Sequence, residues 1–482
     1  MKNNLVVGFL MILASQNFLS ASEAMSVYYD TASANTPAYR TYPVAGTWSS
    51  EQYANAVSQP ATGFYILKSC PKRNEKILVV QDSNGNLTAQ IYISTAAMWT
   101  AMKTLSTDVT TNYRAFDAGY EQVSGDAVVT YRKNNFTNKV YYSIWNGNSW
   151  STDDIDTGLA LDGDAINWIR LEPNPTSDEM ALVTLCVSSH VYAAVWDGNS
   201  WGNQQALETT GVGSASQQGF DVVYTSSYGY AMVVWNENGQ SSPQYRQWFS
   251  SASSWGSEGT ISDITTSGTF RWVRLAGNPK SNSNEIIFAS YDTDYDINVA
   301  TWNGGWGKSF EVDVTVAQGI SYDYRCFDIN YENSSGRGMI VYATRANPAG
   351  RPRYQIWTGT VWNASAFAVD VGPEIRWLKL DRDKCSDSNE IMLVTSDTDS
   401  DINVQRWTGS SWPAASLIEL EANSSYSKEC FAISYSYDTI APSNISDLTG
   451  LSGSLDGDVL LRWTSPGDDG TVGDLVAGEY WL

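Results

Sequence analysis

Residues 141–150 read YYSIWNGNSW and residues 192–201 read YAAVWDGNSW, so one strand and one Trp-x-Gly-x-x-Trp turn occur twice. Each repeat combines alternating β-branched and aromatic runs with turns rich in Gly, Asn, Asp and Ser, which is strand and hairpin chemistry. Four short strands in a unit of this length are typical of a propeller blade. The second tryptophan of the turn recurs at steps of 50 to 56 residues, at Trp48, Trp99, Trp150, Trp201, Trp255, Trp306, Trp362 and Trp412.

The repeats alternate between two types, which differ in how the innermost strand begins. One type begins with an aromatic residue and usually carries a base two positions later, at Phe64, Trp168, Trp272 and Trp377. The other type begins with Phe and usually continues with Asp, at Phe116, Phe220, Phe327 and Phe431. Four repeats of each type predict an all-β fold, an eight-bladed β-propeller.

The two ends of this region complete each other. The last repeat contains only its first strand, residues 429–435, before the character of the sequence changes. Its missing strands lie at the other end of the chain, because residues 25–48 align without a gap on residues 339–362. An open ring would leave an unpaired strand edge. We therefore expect the N- and C-terminal strands to share one blade and to close the ring over residues 25–437.

Acids and bases alternate at the start of the innermost strands. Side chains alternate faces along a strand, so an acid one position after Phe and a base two positions after Trp point to opposite faces and meet across a blade interface. The closing blades carry Ala432 and Ile66 instead, so both partners are lost together, as the cost of an unpaired buried charge requires. We predict three inter-blade ion pairs, with a cation site in the channel as the alternative: Asp117 with Arg170, Asp221 with Arg274, and Asp328 with Lys379.

Three repeats carry a hairpin rich in Asp and Asn at the same place. Alternating acidic oxygens are how a calcium loop begins, since Ca²⁺ takes about six to eight oxygen ligands. The hairpins lack a closing bidentate Glu, so a turn stabilised by Asp and Asn is the alternative. No cofactor other than calcium is indicated. The predicted ligands are Asp82, Asn84 and Asn86; Asp292, Asp294 and Asp296; and Asp397, Asp399 and Asp401.

The paired tryptophans of the turns form a second candidate binding surface. An exposed indole offers a flat apolar face to a pyranose ring, whereas a buried pair would bridge two strands and fill the space to the next blade. The exposure of the indoles distinguishes these two interpretations. The candidates for glycan binding are Trp145 and Trp150, Trp196 and Trp201, Trp357 and Trp362, and Trp407 and Trp412.

Charge and the N-terminal residues indicate where the protein acts. The chain has 29 Lys and Arg against 52 Asp and Glu, and its net charge of -23 repels nucleic acid and anionic lipid surfaces. Residues 1–24 combine Lys2, a short apolar run and small residues before Ala24, the pattern of a secretory signal peptide. We expect a secreted protein, extracellular or at the cell surface, with no membrane insertion.

The sequence shows no recognisable catalytic set. The single histidine, His190, lies in a predicted hairpin, and one histidine provides neither a zinc cluster nor a base beside a nucleophile. Acids are plentiful, but no pair stands out as the two carboxylates of a glycosidase. We expect a non-catalytic protein, with a carbohydrate-active hydrolase as the enzymatic alternative.

Residues 438–482 resemble the first half of a bacterial fibronectin type III domain, with Pro442 near the opening strand and Trp463 in the second. Residues 25–437 resemble secreted bacterial propellers with Trp-rich repeats and, more distantly, the tectonin and fucose-binding propeller lectins. This resemblance implies an extracellular protein or glycan as partner, and it assigns no individual residue. We expect an interaction or adhesion scaffold, with a glycan-binding lectin as the alternative, acting as a monomer or within a longer multidomain chain.

Overall fold

Eight antiparallel sheets form a closed ring in the computed structural model, which confirms the predicted eight-bladed propeller. The innermost strand of each sheet contacts the innermost strand of the next, around the whole ring. The structure describes residues 23–437 apart from 44–45, 153, 162, 227–228, 241, 263, 265–267, 314–320, 322 and 345–349, together with residues 448–452 and 459–463. Within these ranges there is no α-helix, and four short 3-10 turns lie at Thr31–Ser33, Ser94–Ala96, Ser250–Ala252 and Ala414–Ser416.

Blades are numbered here from the one that contains the N-terminal strand. Blade 1 consists of β1 (Ala24–Tyr28), β2 (Ala38–Tyr42), β3 (Gln52–Tyr53) and the late strand β33 (Phe431–Tyr435). Blade 2 consists of β4 (Tyr65–Ser69), β5 (Glu75–Gln81), β6 (Leu87–Ile93) and β7 (Met98–Ser106). Blade 3 consists of β8 (Phe116–Tyr120), β9 (Ala127–Lys133), β10 (Phe136–Trp145) and β11 (Ile155–Asp156). Blade 4 consists of β12 (Ile166–Pro173), β13 (Met180–Cys186), β14 (Val191–Trp196) and β15 (Trp201–Glu208).

The second half of the ring repeats this arrangement. Blade 5 consists of β16 (Phe220–Tyr224), β17 (Tyr230–Trp235), β18 (Gln244–Phe249), β19 (Ser254–Trp255) and β20 (Gly259–Thr260). Blade 6 consists of β21 (Phe270–Gly277), β22 (Ile286–Asp292), β23 (Ile297–Trp302) and β24 (Trp306–Asp313). Blade 7 consists of β25 (Phe327–Tyr331), β26 (Gly338–Tyr342), β27 (Arg353–Trp357) and β28 (Ala366–Phe367). Blade 8 consists of β29 (Ile375–Arg382), β30 (Ile391–Asp397), β31 (Ile402–Trp407) and β32 (Ile418–Glu421).

The core lies between the blades. Neighbouring blades pack face to face, so their middle strands are covered on both sides. Every residue of β13, MALVTLC, is buried, whereas the outermost strand β15 contains exposed and half-buried positions. This is why the middle strands read as continuous apolar runs rather than as alternating ones.

The ring closes through the two ends of the propeller region, as predicted. Strand β33 pairs antiparallel with β1, and Val27 lies opposite Ala432. The pairing continues beyond the strand, because the Tyr29 amide donates to the Cys430 carbonyl at 3.0 Å. The strand itself begins at Phe431, two residues later than predicted, and β1 begins at Ala24 rather than Met25.

The propeller and the C-terminal region are separate compact units. The propeller unit spans Ser22–Tyr437, and its five cysteines are free thiols. In the C-terminal unit the described residues form one hairpin, β34 (Thr449–Ser452) with β35 (Val459–Arg462). The fibronectin-type sandwich stays a prediction, and the predicted signal peptide falls almost entirely outside the described residues. None of the helical segments described is long and apolar enough to span a membrane.

Candidate functional site

Four aromatic side chains from alternate blades meet in the central channel. Trp272 lies 5.5 Å from Trp168 and 5.7 Å from Trp377 between ring centroids, in edge-to-face geometry. Phe64 packs in the same way against Trp168 at 5.8 Å. Each of the four side chains is only 3% exposed. We call Phe64, Trp168, Trp272 and Trp377 the aromatic plug, because together they fill the channel at this level.

A β-bulge directs each tryptophan of the plug. The pairing register of β12 shifts between Ile166 and Trp168, and β21 and β29 shift at the equivalent place. A bulge inserts one extra residue into a strand and changes the direction of the side chains around it. Strand β4, which begins just after Phe64, pairs with β5 without a shift. The sequence identified these aromatic residues as strand starts but carried no sign that they meet.

Arginines and aspartates of successive blades form a continuous ion chain. Arg170 Nη1 lies 3.0 Å from Asp117 Oδ2, and Arg274 Nη1 lies 3.2 Å from Asp221 Oδ2, as the predicted pairs require. Each arginine also reaches the next aspartate along the chain. Arg170 Nε donates to Asp221 Oδ1 at 2.6 Å, and Arg274 Nε donates to Asp328 Oδ1 at 2.8 Å. One guanidinium therefore joins three blades, which its fork of donors permits.

The third predicted pair, Asp328 with Lys379, does not form among the described residues. Lys379 Nζ instead lies 3.4 Å from Glu429. Asp328 already has other partners. It accepts hydrogen bonds from Arg274 and from the Leu380 amide at 2.9 Å, and it lies 3.4 Å from Arg325 Nη1. Arg325 then donates to Glu429 at 2.8 Å, so the ion chain continues to blade 1 through a residue that the sequence analysis did not select.

Burial and charge compete at the acids of the ion chain. Burial alone would raise the pKa of Asp117, but Arg114 and Arg170 outweigh it and hold the pKa at about 2. The same competition lowers the pKa of Glu429, whose burial is outweighed by Arg325 and Lys379. These carboxylates are therefore ionised at any physiological pH and serve as fixed structural charges.

The first tryptophan of each turn is buried and joins neighbouring blades. Trp145 Nε1 donates to Glu75 Oε1 of blade 2 at 3.2 Å, and Trp407 Nε1 donates to Glu332 Oε1 of blade 7 at 2.7 Å. Trp196 makes the equivalent bond to Glu121 of blade 3 at 2.5 Å. The four first tryptophans of the predicted pairs are 1–5% exposed, namely Trp145, Trp196, Trp357 and Trp407. They pack between blades and present no face to a ligand.

The glutamates at these interfaces are structural residues that the sequence analysis missed. Glu179 accepts hydrogen bonds from Trp248 Nε1 at 3.0 Å and from the Tyr224 hydroxyl at 2.9 Å. A signal for them does exist, since an Asn-Glu or Asp-Glu step precedes the second strand of four alternate blades, at Glu75, Glu179, Glu285 and Glu390. Such a buried acid needs donors. Indole N–H groups of the next blade supply them to Glu75 and Glu179, whereas Asn278 donates to Glu285 and Arg406 pairs with Glu390.

The second tryptophans lie at the outer edge of the blade interfaces. Trp150 Nε1 donates to the Ala101 carbonyl of blade 2 at 2.7 Å, and Trp255 Nε1 donates to the Asn203 carbonyl of blade 4 at 2.7 Å. Each second indole of the four predicted pairs packs against the first, with centroids 5.4–5.6 Å apart. Around the ring six of the eight are half-buried, namely Trp48, Trp150, Trp201, Trp255, Trp306 and Trp362. Trp99 and Trp412 are each 8% exposed.

The acidic hairpins turn their first acid inward. Asp397 Oδ1 accepts from the Asp399 and Asp401 amides, both at 3.1 Å, and its Oδ2 accepts from Asn403 Nδ2. Asp292 bonds to the Asp294, Asp296 and Asn298 donors in the same pattern, and Asp82 bonds to the Asn84 and Asn86 donors. In these hairpins the first carboxylate accepts hydrogen bonds from N–H groups of the turn, which is the arrangement of a turn stabilised by Asp. Calcium binding by the hairpins stays a prediction.

Asp397 should titrate near pH 6. Burial raises its pKa from the usual 3.8 to about 6, and the hairpin amides offset this only in part. When the pH falls from 7 to 5, Asp397 therefore takes up a proton in the folded protein but not in the unfolded chain. This uptake raises the free energy of unfolding. Urea unfolding at both pH values should show a smaller rise for Asp397→Asn than for the wild type. The change Asp370→Asn, at an exposed position outside this hairpin, should keep the wild-type pH dependence. An NMR titration midpoint of Asp397 near 4 would contradict the expectation.

Comparison with known proteins finds weak similarity to solved structures. No family model and no curated protein matches the sequence. Among solved structures, the BP39L lectin from Burkholderia pseudomallei has a TM-score of 0.49 and 12% identity over 74% of this chain and 99% of its own. The fucose-specific lectin from Aleuria aurantia has a TM-score of 0.37 and 13% identity over 66% of this chain and 99% of its own. AofleA from Arthrobotrys oligospora has a TM-score of 0.39 and 12% identity over 67% of this chain and 90% of its own.

Proposed function

We propose that this chain is a secreted, non-catalytic binding protein that takes glycans at the half-buried second tryptophans of its blade interfaces. The observation that carries the proposal is the recurrence of a partly exposed indole at six of the eight corresponding blade interfaces. An indole face is apolar and flat, which suits the C–H face of a sugar ring.

The surroundings of these indoles support a preformed site. At the blade 2–3 interface the Trp150 ring is fixed by three contacts, namely its bond to Ala101, its packing on Trp145, and Lys103 Nζ 5.5 Å above it. A ring that is already ordered loses little conformational freedom when a ligand binds. The Lys103 ammonium covers part of one indole face and donates to the Ser151 carbonyl at 2.7 Å, so a fixed cationic donor lies next to the apolar ring.

Repetition of the site suggests weak individual binding and stronger binding to clustered ligands. When one site on a rigid ring binds a multivalent surface, the other sites experience a high effective ligand concentration. The overall affinity is then higher than that of a single site. The protein would therefore act as an adhesive element toward glycan-coated surfaces. This function unites the scaffold and the lectin hypotheses in one binding role.

The acids of the channel support a structural role rather than a hydrolytic one. A glycosidase needs one protonated and one ionised carboxyl on either side of a sugar. Asp117, Asp221 and Asp328 are 0% exposed, and they accept hydrogen bonds from arginines and from backbone amides. Carboxylates held in this way stabilise the ring.

Glycan binding should depend on the half-buried indoles. We expect the full-length protein to bind a reproducible class of sugars on a glycan array. Replacing Trp150, Trp201 and Trp362 together by Ala should weaken that binding at least about tenfold, since an aromatic contact contributes about 1 kcal/mol at each site. The matched control is Phe367→Ala, which removes an aromatic side chain that is 40% exposed and lies outside the tryptophan turns. Absence of array binding, or unchanged binding by the triple variant, would refute the proposal.

A further inference from the structure

The central channel contains a cavity of about 290 Å³ that is lined by the innermost strands of all eight blades. The aromatic plug lines it where these strands begin, and residues at the far ends of the strands, such as Pro173, Gly277 and Lys384, line it where they finish. This volume suits a small molecule or one residue of a larger ligand.

Basic side chains dominate the cavity although the protein is strongly acidic. Eight of the lining residues are Lys or Arg and four are Asp or Glu, in a chain of net charge -23. Five of the eight bases belong to the ion chain and are neutralised there. The remaining three are Lys68, Arg382 and Lys384, with Asp381 beside them. Glu172 also lines the cavity, but it lies 3.6 Å from Arg170 and pairs with it.

Lys68 is the least satisfied of these bases. Its ammonium group has no hydrogen-bond or ion-pair partner among the described residues, although the side chain is half-buried. It lies four positions after Phe64, where the equivalent blades place Glu172, Ala276 and Asp381. Blade 2 therefore supplies a cation at a layer where two other blades supply anions. No carboxylate in the described part of the chain lies within ion-pair distance of Lys68.

Arg382 and Lys384 have donors available in the same space. Arg382 Nη1 donates to Asn330 Oδ1 at 3.2 Å, while its Nε is buried without a partner within the described ranges. Lys384 Nζ lies 2.7 Å from Asp381 Oδ1. Burial lowers the pKa of Lys384, and the charges of Arg382 and Lys68 lower it further, so the three cations repel one another across the cavity.

We propose that this cavity binds a small oxyanion, a carboxylate or phosphate group, through Lys68, Arg382 and Lys384. An anion there would relieve the mutual repulsion of the three cations and supply oxygen acceptors to their free N–H groups. Ammonium and guanidinium donors form their strongest hydrogen bonds with ionised oxygens, and the guanidinium fork matches a carboxylate or phosphate in shape. This site is distinct from the rim tryptophans and goes beyond the proposed function.

Isothermal titration of the full-length protein with inorganic phosphate and with glucuronate, at constant ionic strength, tests the site. We expect at least one probe to bind, and its affinity should fall tenfold or more in Lys68→Gln, as the loss of a charge-assisted hydrogen bond requires. Lys68→Arg should retain most of the affinity. Glu172→Gln should tighten binding, because it removes an acid that faces the ligand. Which probe binds more tightly identifies the group as phosphate or carboxylate.

The controls separate this site from the rest of the surface. Lys139→Gln removes a lysine that is 46% exposed and pairs with Asp156 at the rim, and it should leave the affinity unchanged. The variant in which Trp150, Trp201 and Trp362 are replaced by Ala should also bind the anion with wild-type affinity. Anion binding and glycan binding can therefore succeed or fail independently. Lack of binding by both probes at millimolar concentrations would overturn the proposal. Equal affinity in the wild type and Lys68→Gln would overturn it as well.

Discussion

Replacing Asp221 by Asn should lower the free energy of unfolding by about 3–5 kcal/mol, the cost of leaving a buried charge without its partner. Asp221 is fully buried and accepts from Arg170 Nε at 2.6 Å, Arg274 Nη1 at 3.2 Å and the Leu275 amide at 2.9 Å. Asparagine has the same shape but no charge, and its amide group would face guanidinium donors. The lost stability is therefore electrostatic and does not come from packing. Urea unfolding at pH 7 measures this loss.

A surface pair provides the control for this experiment. Asp156 lies 2.6 Å from Lys139, and both side chains are more than a third exposed. Water screens such a pair, so Asp156→Asn should change the free energy of unfolding by less than about 1 kcal/mol. If Asp221→Asn is no more costly than Asp156→Asn, the ion chain does not stabilise the ring in the way described here.

Replacing Trp272 by Ala should cost about 3–5 kcal/mol, the usual range for removing a large aromatic side chain from a core. Trp272 is the central member of the aromatic plug, because it contacts Trp168 and Trp377 on either side. Its removal would leave a void between Trp168 and Trp377, and a bulged strand cannot move inward to fill it without losing its pairing. Thermal and urea unfolding would both report the loss.

The matched change is Trp255→Ala at the rim. Trp255 is half-buried, packs on Trp248 at 5.4 Å and donates one hydrogen bond to Asn203. Because water already reaches this indole, its removal should cost less than about 2 kcal/mol. Equal losses for Trp255→Ala and Trp272→Ala would mean that the plug adds nothing to ring stability beyond local contacts.

The number of blades and the closure could be predicted because both are written as repeated patterns. The spacing of the second tryptophans counts the blades, and the match of residues 25–48 with 339–362 shows which end completes the last one. The pairing of β1 with β33 then confirms the predicted closure. These patterns are present in the sequence because an open ring would leave an edge strand with unpaired backbone groups.

The details of the channel could be predicted only in part, because they depend on side-chain reach and on bulges. Alternation of faces places Asp221 opposite Arg274, but it does not show that Arg170 spans from Asp117 to Asp221. A lysine at position 379 has a single ammonium group, which lies 3.4 Å from Glu429 and shares that acid with Arg325. The bulges that bring the tryptophans together add one residue without a distinctive sequence. For these reasons the sequence patterns could not predict the aromatic plug or the pairing of Lys379 with Glu429.

The joint strand of blade 1 has a consequence for how the molecule is made. Ser26 and Ala432, which are hydrogen-bonded in the finished ring, are 406 residues apart in the chain. At a synthesis rate of about 5–20 residues per second, the first-made strand waits roughly 20–80 s for its neighbour. Throughout that interval the unpaired N–H and C=O groups along one edge of β1 can pair with another nascent polypeptide. Productive maturation therefore depends on delaying collapse or shielding this segment until translation has passed Tyr435.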